Sequence, residues 1–183
     1  MRSFTLHDHN SAPEAAKALL EKSHKAFGRV PGLHAVMAES PELLNAYQAL
    51  HGLFLNSSFD ADEKTVVWQT INVEHACHYC VPAHTGIAKL MKVSDEINHA
   101  LRDETALPTP RLEALRDFTL AMLRQRGELE AGQLEAFYGA GFTQQNVLEV
   151  ILGLSQKIIS NYTNHIAQTP IDQAFRGFAW EKK

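Results

Sequence analysis

Both cysteines of the 183-residue chain, Cys77 and Cys80, lie with His75, His78 and His84 in the run Asn72-Val-Glu-His-Ala-Cys-His-Tyr-Cys-Val-Pro-Ala-His84. Two residues separate the cysteines, and His84 follows four positions after Cys80. At about 3.6 residues per turn, positions 77, 80 and 84 share one helical face. Pro82 sets where that helix begins. Proline is tolerated in a first turn but costs a hydrogen bond and a clash deeper inside, so the spacing predicts a start around Cys77 to Tyr79. Thiols at a helix N-terminus face unpaired backbone N–H groups and the positive end of the dipole, which favour the thiolate. His84 is placed to accept or relay the proton. The chemistry this suggests is a dithiol/disulfide cycle.

Other chemistry fits the same residues. Free cysteine is among the most buried residue types, so the pair could be core packing. Cys77, Cys80 and His84, with His75 or His78, could supply four zinc ligands, although structural zinc usually draws on two separated pairs and no second Cys pair exists. A structural disulfide closing so short a loop would restrain little of the unfolded chain.

The elements that must position these residues read as helices throughout. Ser11 and Pro13 suggest the start of a helix through Ala15, Ala16, Leu19, Leu20 and Phe27, closing at Gly28. Before it, residues 1–12 read as a mobile or loosely docked polar arm carrying His7 and His9. Val30-Pro31-Gly32 is a turn. Ser40-Pro41 opens a helix with Leu43, Leu44, Tyr47, Leu50 and Phe54 on one face. Asp60 with Glu63 forms a capping box, and Val66, Val67, Ile71 and Val73 lead up to the cysteines. Ser94 caps a helix with Asp95 and Glu96 in its first turn. Thr109-Pro110 opens another with Leu112, Leu115, Phe118, Met122 and Leu123, closing at Gly127. A shorter helix spans about Leu129 to Tyr138, and the last long one runs from Thr143 towards His165, with Pro170 before a short terminal segment. Runs of β-branched residues are short and follow a 3.6-residue period, so the fold class is all-α, a helical bundle.

An offset of 83 residues superposes Phe59-Asp60 on Phe142-Thr143, Val67 on Val150, Ile71 on Leu154 and Tyr79 on Tyr162, while Cys77 and Cys80 fall on Ser160 and Thr163. It predicts an internal pseudo-twofold repeat, with halves around 41–92 and 110–166, inside one domain spanning 1–183. Asn161-Tyr-Thr-Asn-His165 is polar for the end of an apolar helix. It either lines the cavity of the thiols or forms a solvated end.

Composition narrows the function. Hydrophobic residues make up 45%, enough for a proper core, and the net charge of −4 is spread in mixed sign, which points to neither nucleic acid nor an anionic membrane. No stretch approaches the roughly 20 apolar residues of a membrane span, and the first residues lack the apolar segment of a secretory signal. A cytoplasmic location is expected, and in a reducing compartment a Cys-x-x-Cys pair is more often redox-active or metal-binding than a staple.

The run Val73 to His84 resembles the alkylhydroperoxidase D-like branch of the carboxymuconolactone decarboxylase superfamily. Three further stretches match it: the Asp-Ala-Asp-Glu63 helix start, Gly-Phe-Thr143, and Ser-Asn-Tyr-Thr-Asn-His165. The likeness covers roughly residues 30–176. It implies an all-helical fold, a homo-oligomer, and a thiol peroxidase without metal or haem. Such an enzyme reduces hydroperoxides and is itself reduced by a dithiol or thioredoxin-like donor. By position it gives Cys80 the attacking role, Cys77 the resolving role and His84 that of the base. Two positions depart from the family pattern. Thr65 stands where the family has its relay glutamate, and Tyr79 where it has a histidine before the second cysteine. Glu74 is then either the substitute carboxylate or an exposed helix-end acid, and His78 either supports the thiolate or faces solvent. A redox-sensing oligomer without turnover and a decarboxylase-type lyase are the alternative functions, the latter disfavoured by the dithiol.

Overall fold

The computed structural model describes residues 3–183. Its elements are α1 (Glu14–Phe27), α2 (Gly32–Met37), α3 (Pro41–Leu55), α4 (Ala61–Glu74), α5 (Cys80–Leu90), α6 (Asp95–Asp103), α7 (Pro110–Arg124), α8 (Gln133–Gly139), α9 (Gln144–Ala167) and a terminal 3-10 helix, Gln173–Phe178. No strand occurs among the described residues, so the all-α expectation holds.

Helix starts follow the caps in the sequence. The side chains of Ser40, Asp60, Ser94, Thr109 and Thr143 each accept a backbone N–H three residues on, and Asp60/Glu63 closes as a full capping box. Ser11 is different. Its hydroxyl accepts the N–H of Asp8 in a turn closed by the Asp8 carboxylate, and α1 begins later, behind Pro13, with no side-chain cap. The described part of the arm before it, from residue 3, is docked rather than loose, residues 1 and 2 lying outside the described residues: the His7 N–H donates to the Ala35 carbonyl at 3.1 Å, and its ring meets the Glu39 carboxylate at 2.6 Å. The α8 helix starts at Gln133 rather than near Leu129, because Gly132 turns the chain at φ 92°.

α4 is the central element. Every residue from Thr65 to Val73 is buried, and the helix packs against α5, α6, α7 and α9. One apolar cluster joins α4, α6, α7, α8 and α9 through Trp68, Ile71, Leu101, Leu115, Phe118, Phe137 and Val150. A second, built on Leu20, Leu33, Met37, Leu44 and Tyr47 of α1 to α3, contains both cysteines. Close approach draws α9 against α3 and α4: a Cβ on Gly153 of α9 would stand 2.8 Å from the Phe54 ring and 2.9 Å from Val67. Only glycine fits there.

The stretches aligned by the 83-residue offset both open with a capping box, and Phe59 meets Phe142 edge-on with ring centroids 6.2 Å apart. The first stretch is broken after Glu74 into α4 and α5. The second runs unbroken through α9.

Candidate active site around the dithiol

The break between α4 and α5 builds the site. α4 ends in a Schellman turn: Ala76 adopts φ 50°, its N–H bonds the Val73 carbonyl, and the Cys77 N–H bonds the Asn72 carbonyl at 2.9 Å. The turn delivers Cys77 to the N-terminal end of α5. Its carbonyl accepts the Val81 N–H at 3.1 Å, and its sulfur accepts the Cys80 N–H at 3.2 Å, as a capping side chain would. The regular helix therefore starts at Cys80, just beyond the expected Cys77 to Tyr79. Cys77 lies ahead of the helix and not on its face. Pro82 lies in the first turn as its chemistry requires.

Both thiols are reduced and buried. Cys80 Sγ accepts from Asn164 Nδ2 at 3.2 Å. Burial alone would raise the Cys80 thiol. The Cys77 thiol, the Lys157 charge and the Asn164 and Asn161 amides outweigh it and hold Cys80 well below the usual thiol range. The hydrogen bond to Cys80 and burial push Cys77 far up. One sulfur is thus set to carry the negative charge and the other the proton.

His84 is buried against the Trp68 ring, with centroids 4.9 Å apart. Its Nε2 accepts from Lys157 Nζ at 2.9 Å, which leaves its proton on Nδ1, an atom with no partner among the described residues. Burial, with the Lys157 and His51 charges, keeps His84 neutral well below the normal imidazole range. Around this centre runs a buried polar lattice. Trp68 Nε1 donates to Gln156 Oε1 at 2.6 Å, Asn161 Nδ2 to Asn72 Oδ1 at 3.0 Å, and Asn72 Nδ2 to Gln69 Oε1 at 2.9 Å. These bonds tie α9 to α4 beside the start of α5.

The other sequence candidates lie elsewhere. The Glu74 carboxylate is held by Arg124 Nε and Nη2, both at 2.7 Å, with Lys182 at 3.9 Å, on the side of α4 that meets α7. It is not among the groups that act on either sulfur. Thr65 is buried and bonds the Ala61 carbonyl. The His78 ring bonds the Thr169 carbonyl at 3.0 Å, and His75 pairs with Asn161 Oδ1 at 2.8 Å. The four-ligand zinc arrangement does not assemble: each of these rings is engaged elsewhere, and among the described residues no three His, Cys, Asp or Glu side chains are grouped to hold a metal ion. The Tyr79 hydroxyl donates to Asp172 at 2.9 Å and accepts the Leu33 N–H at 3.2 Å, clamping the terminal segment across the motif. Of the polar end of α9, Asn161 and Asn164 face the thiols while Tyr162 is exposed.

Beside the site lies an apolar groove of about 370 Å³, walled by Met37, Leu43, Ile158, Ile159, Tyr162 and Ile166 among others. Met37 and Ile159 pack in the cluster that holds both cysteines.

No protein-family model matches the chain, and no curated protein matches it. Solved structures do. The chain superposes on the alkylhydroperoxidase AhpD core of an uncharacterized peroxidase-related protein from Ralstonia eutropha JMP134 with a TM-score of 0.82 and 19% identity over 96% of each chain. An uncharacterized peroxidase-related protein from Silicibacter sp. TM1040 gives 0.80 and 18%, again over 96% of each chain. The debrominase Bmp8 in complex with 2,3,4-tribromopyrrole gives 0.78 and 16%, over 97% of this chain and 95% of that one. The fold is that of the alkylhydroperoxidase D core.

Proposed function

We propose that this protein is a thiol-dependent peroxidase that reduces hydroperoxides through Cys80 and Cys77. The observation that carries the reading is the division of charge between the two sulfurs: Cys80 disposed to be a thiolate, Cys77 a thiol in hydrogen-bonding contact with it. In the first step the Cys80 thiolate attacks the outer peroxide oxygen. The S–O bond forms, the O–O bond breaks, and the leaving alkoxide takes up one proton to become an alcohol. Cys77 then attacks the resulting sulfenic acid, releasing water and closing the disulfide. A dithiol or thioredoxin-like donor reopens it by exchange and is itself oxidised. Met37 and Ile159 line the groove beside the dithiol, which supports organic hydroperoxides as the substrate class.

The working form would be a homo-oligomer in a reducing compartment such as the cytoplasm. Exposed Leu53 and Leu55 of α3 and Leu148 and Ile151 of α9, on two helices that pack together, offer a surface for a second copy. No helix among the described residues is long and apolar enough to cross a membrane.

The test is peroxide-driven thiol loss, followed by mass spectrometry after one equivalent of cumene hydroperoxide. Wild type should lose two thiols within the mixing and quench time. Cys80→Ser should lose none, and Cys77→Ser should trap a dimedone-reactive sulfenic acid that over-oxidises with excess peroxide. Wild-type thiols that persist for hours under these conditions overturn the reading. The debrominase neighbour motivates a second reading, two-electron reduction of a carbon–bromine bond by the same dithiol. Bromide released from 2,3,4-tribromopyrrole as the disulfide forms would favour it.

A further inference from the structure

Lys157 is fully buried, and no carboxylate among the described residues pairs with it. Its ammonium has three N–H donors, and the one partner it has among the described residues is His84 Nε2 at 2.9 Å. Two donors of a buried cation are thus left without a partner among the described residues, which is costly unless a negative charge compensates, and the charges that act on Lys157 are those of the two sulfurs. The charged and titratable groups that face Lys157 are few. Cys77 and Cys80 act on it from the motif, His84 meets it from α5, and His51 faces it from α3. His51 in turn acts on His34 of α2, and α4 presents to His84 the uncharged Trp68. Every histidine in this set is neutral at pH 7, so the ammonium is the only cation available to a thiolate here.

We propose that Lys157 is the counter-ion of the Cys80 thiolate and the proton donor to the oxygen that leaves the hydroperoxide. The proposal rests on the peroxidase reading and supplies the proton relay that neither Thr65 nor Glu74 provides. As Cys80 gains oxygen, one Lys157 N–H proton passes to the departing alkoxide, giving the alcohol and a neutral amine. The amine accepts the Cys77 proton as that thiol attacks. The same proton then goes to the hydroxide expelled from the sulfenic acid, giving water and the disulfide. When a dithiol donor reopens the disulfide, one of its two protons returns to Cys77 and the other to Lys157. Neutral His84 holds the amine in place through both states, because its Nε2 accepts from either form.

Two reactions of the same sulfur separate the roles. Alkylation by iodoacetamide needs the thiolate but no proton donor, since iodide leaves unprotonated; peroxide reduction needs both. In wild type the alkylation rate should rise with pH to a plateau, while the rate of sulfenic acid formation should rise and then fall as Lys157 loses its proton. Profiles that superpose overturn the donor role without any variant. In Lys157→Met, with circular dichroism checking the fold, the alkylation profile should move up by about one to three pH units. Even on its new plateau, peroxide reduction should stay about a hundredfold or more below wild type. Lys157→Arg keeps the charge but cannot give up a proton, so it should restore the alkylation profile and not peroxide reduction. An unshifted alkylation profile in folded Lys157→Met overturns the counter-ion role. If wild type is alkylated at neutral pH but reduces no hydroperoxide, the peroxidase reading and the donor role fall together, and the alkylation shift still decides the counter-ion.

Discussion

Asn164 shows how much of the site depends on single amides. Its Nδ2 donates to Cys80 Sγ at 3.2 Å from the last turns of α9, and hydrogen bonds to charged groups contribute about 1.5–3 kcal/mol. Asn164→Ala removes a donor that favours the thiolate. The Cys80 pKa should therefore rise, and its alkylation at pH 7 should slow about tenfold, with the wild-type rate recovered at higher pH. A rate that stays low at every pH would instead mean that the amide shapes access to the sulfur. The cysteine pair was legible in the sequence because its residue types and spacing are local. Lys157 was not, although a trace of it was present. Val150, Gly153, Leu154, Lys157, Ser160, Asn161 and Asn164 all lie on the buried face of α9, so a lysine sits in phase with a core stripe. Only the fold shows that Lys157 faces two sulfurs, 77 and 80 residues before it in sequence, rather than another apolar helix.

At the level of elements, the caps and the restart before Pro82 announced themselves, and the form of the turn between α4 and α5 did not. Five helix starts follow from Ser, Thr or Asp three residues ahead of the N–H they accept. The end of α4 carries no glycine. Ala76 takes the left-handed position at φ 50°, where a Cβ costs about 1 kcal/mol, so no residue type in the sequence marked the left-handed turn that ends α4. The strain sits at the joint that turns Cys77 to cap α5. Ala76→Gly should relieve it and raise stability by up to about 1 kcal/mol, less what the freer unfolded chain takes back. Urea titration checks the sign, and a lower midpoint would show that the alanine methyl makes a packing contribution larger than the strain. Glu74 lies apart from the sulfurs for a related reason. Helical periodicity puts it one turn before Cys77, but the Schellman turn swings the cysteine away and leaves the carboxylate to Arg124.

For the molecule as a whole, the buried histidines make the fold sensitive to acid. Burial, helped by the His51 charge, lowers His34 to about 4, and burial with the Lys157 charge lowers His51 to about 4, each from an ordinary value of 6.5; His84 shifts the same way. Between those values the unfolded chain binds protons that the folded chain refuses. Stability is thus fully present above about pH 6.5 and is lost as pH falls towards 4. At 1.36 kcal/mol per pKa unit, each of the two histidines contributes roughly 3 kcal/mol over that interval, so the pair alone approaches the 5–15 kcal/mol that holds a typical domain folded. Urea midpoints measured from pH 8 down to pH 4.5 should be flat to about pH 6.5 and then fall steeply. Replacing His34, whose Nδ1 lies 2.8 Å from the Ser23 hydroxyl, tests the cause: His34→Gln should lower stability at pH 8 but flatten the acid limb. The same histidines surround Lys157 through His51 and His84. A protein that keeps them neutral to hold its fold therefore also keeps the ammonium as the sole positive charge beside the dithiol, and unfolding below pH 6 should end thiol reactivity in step with the loss of structure.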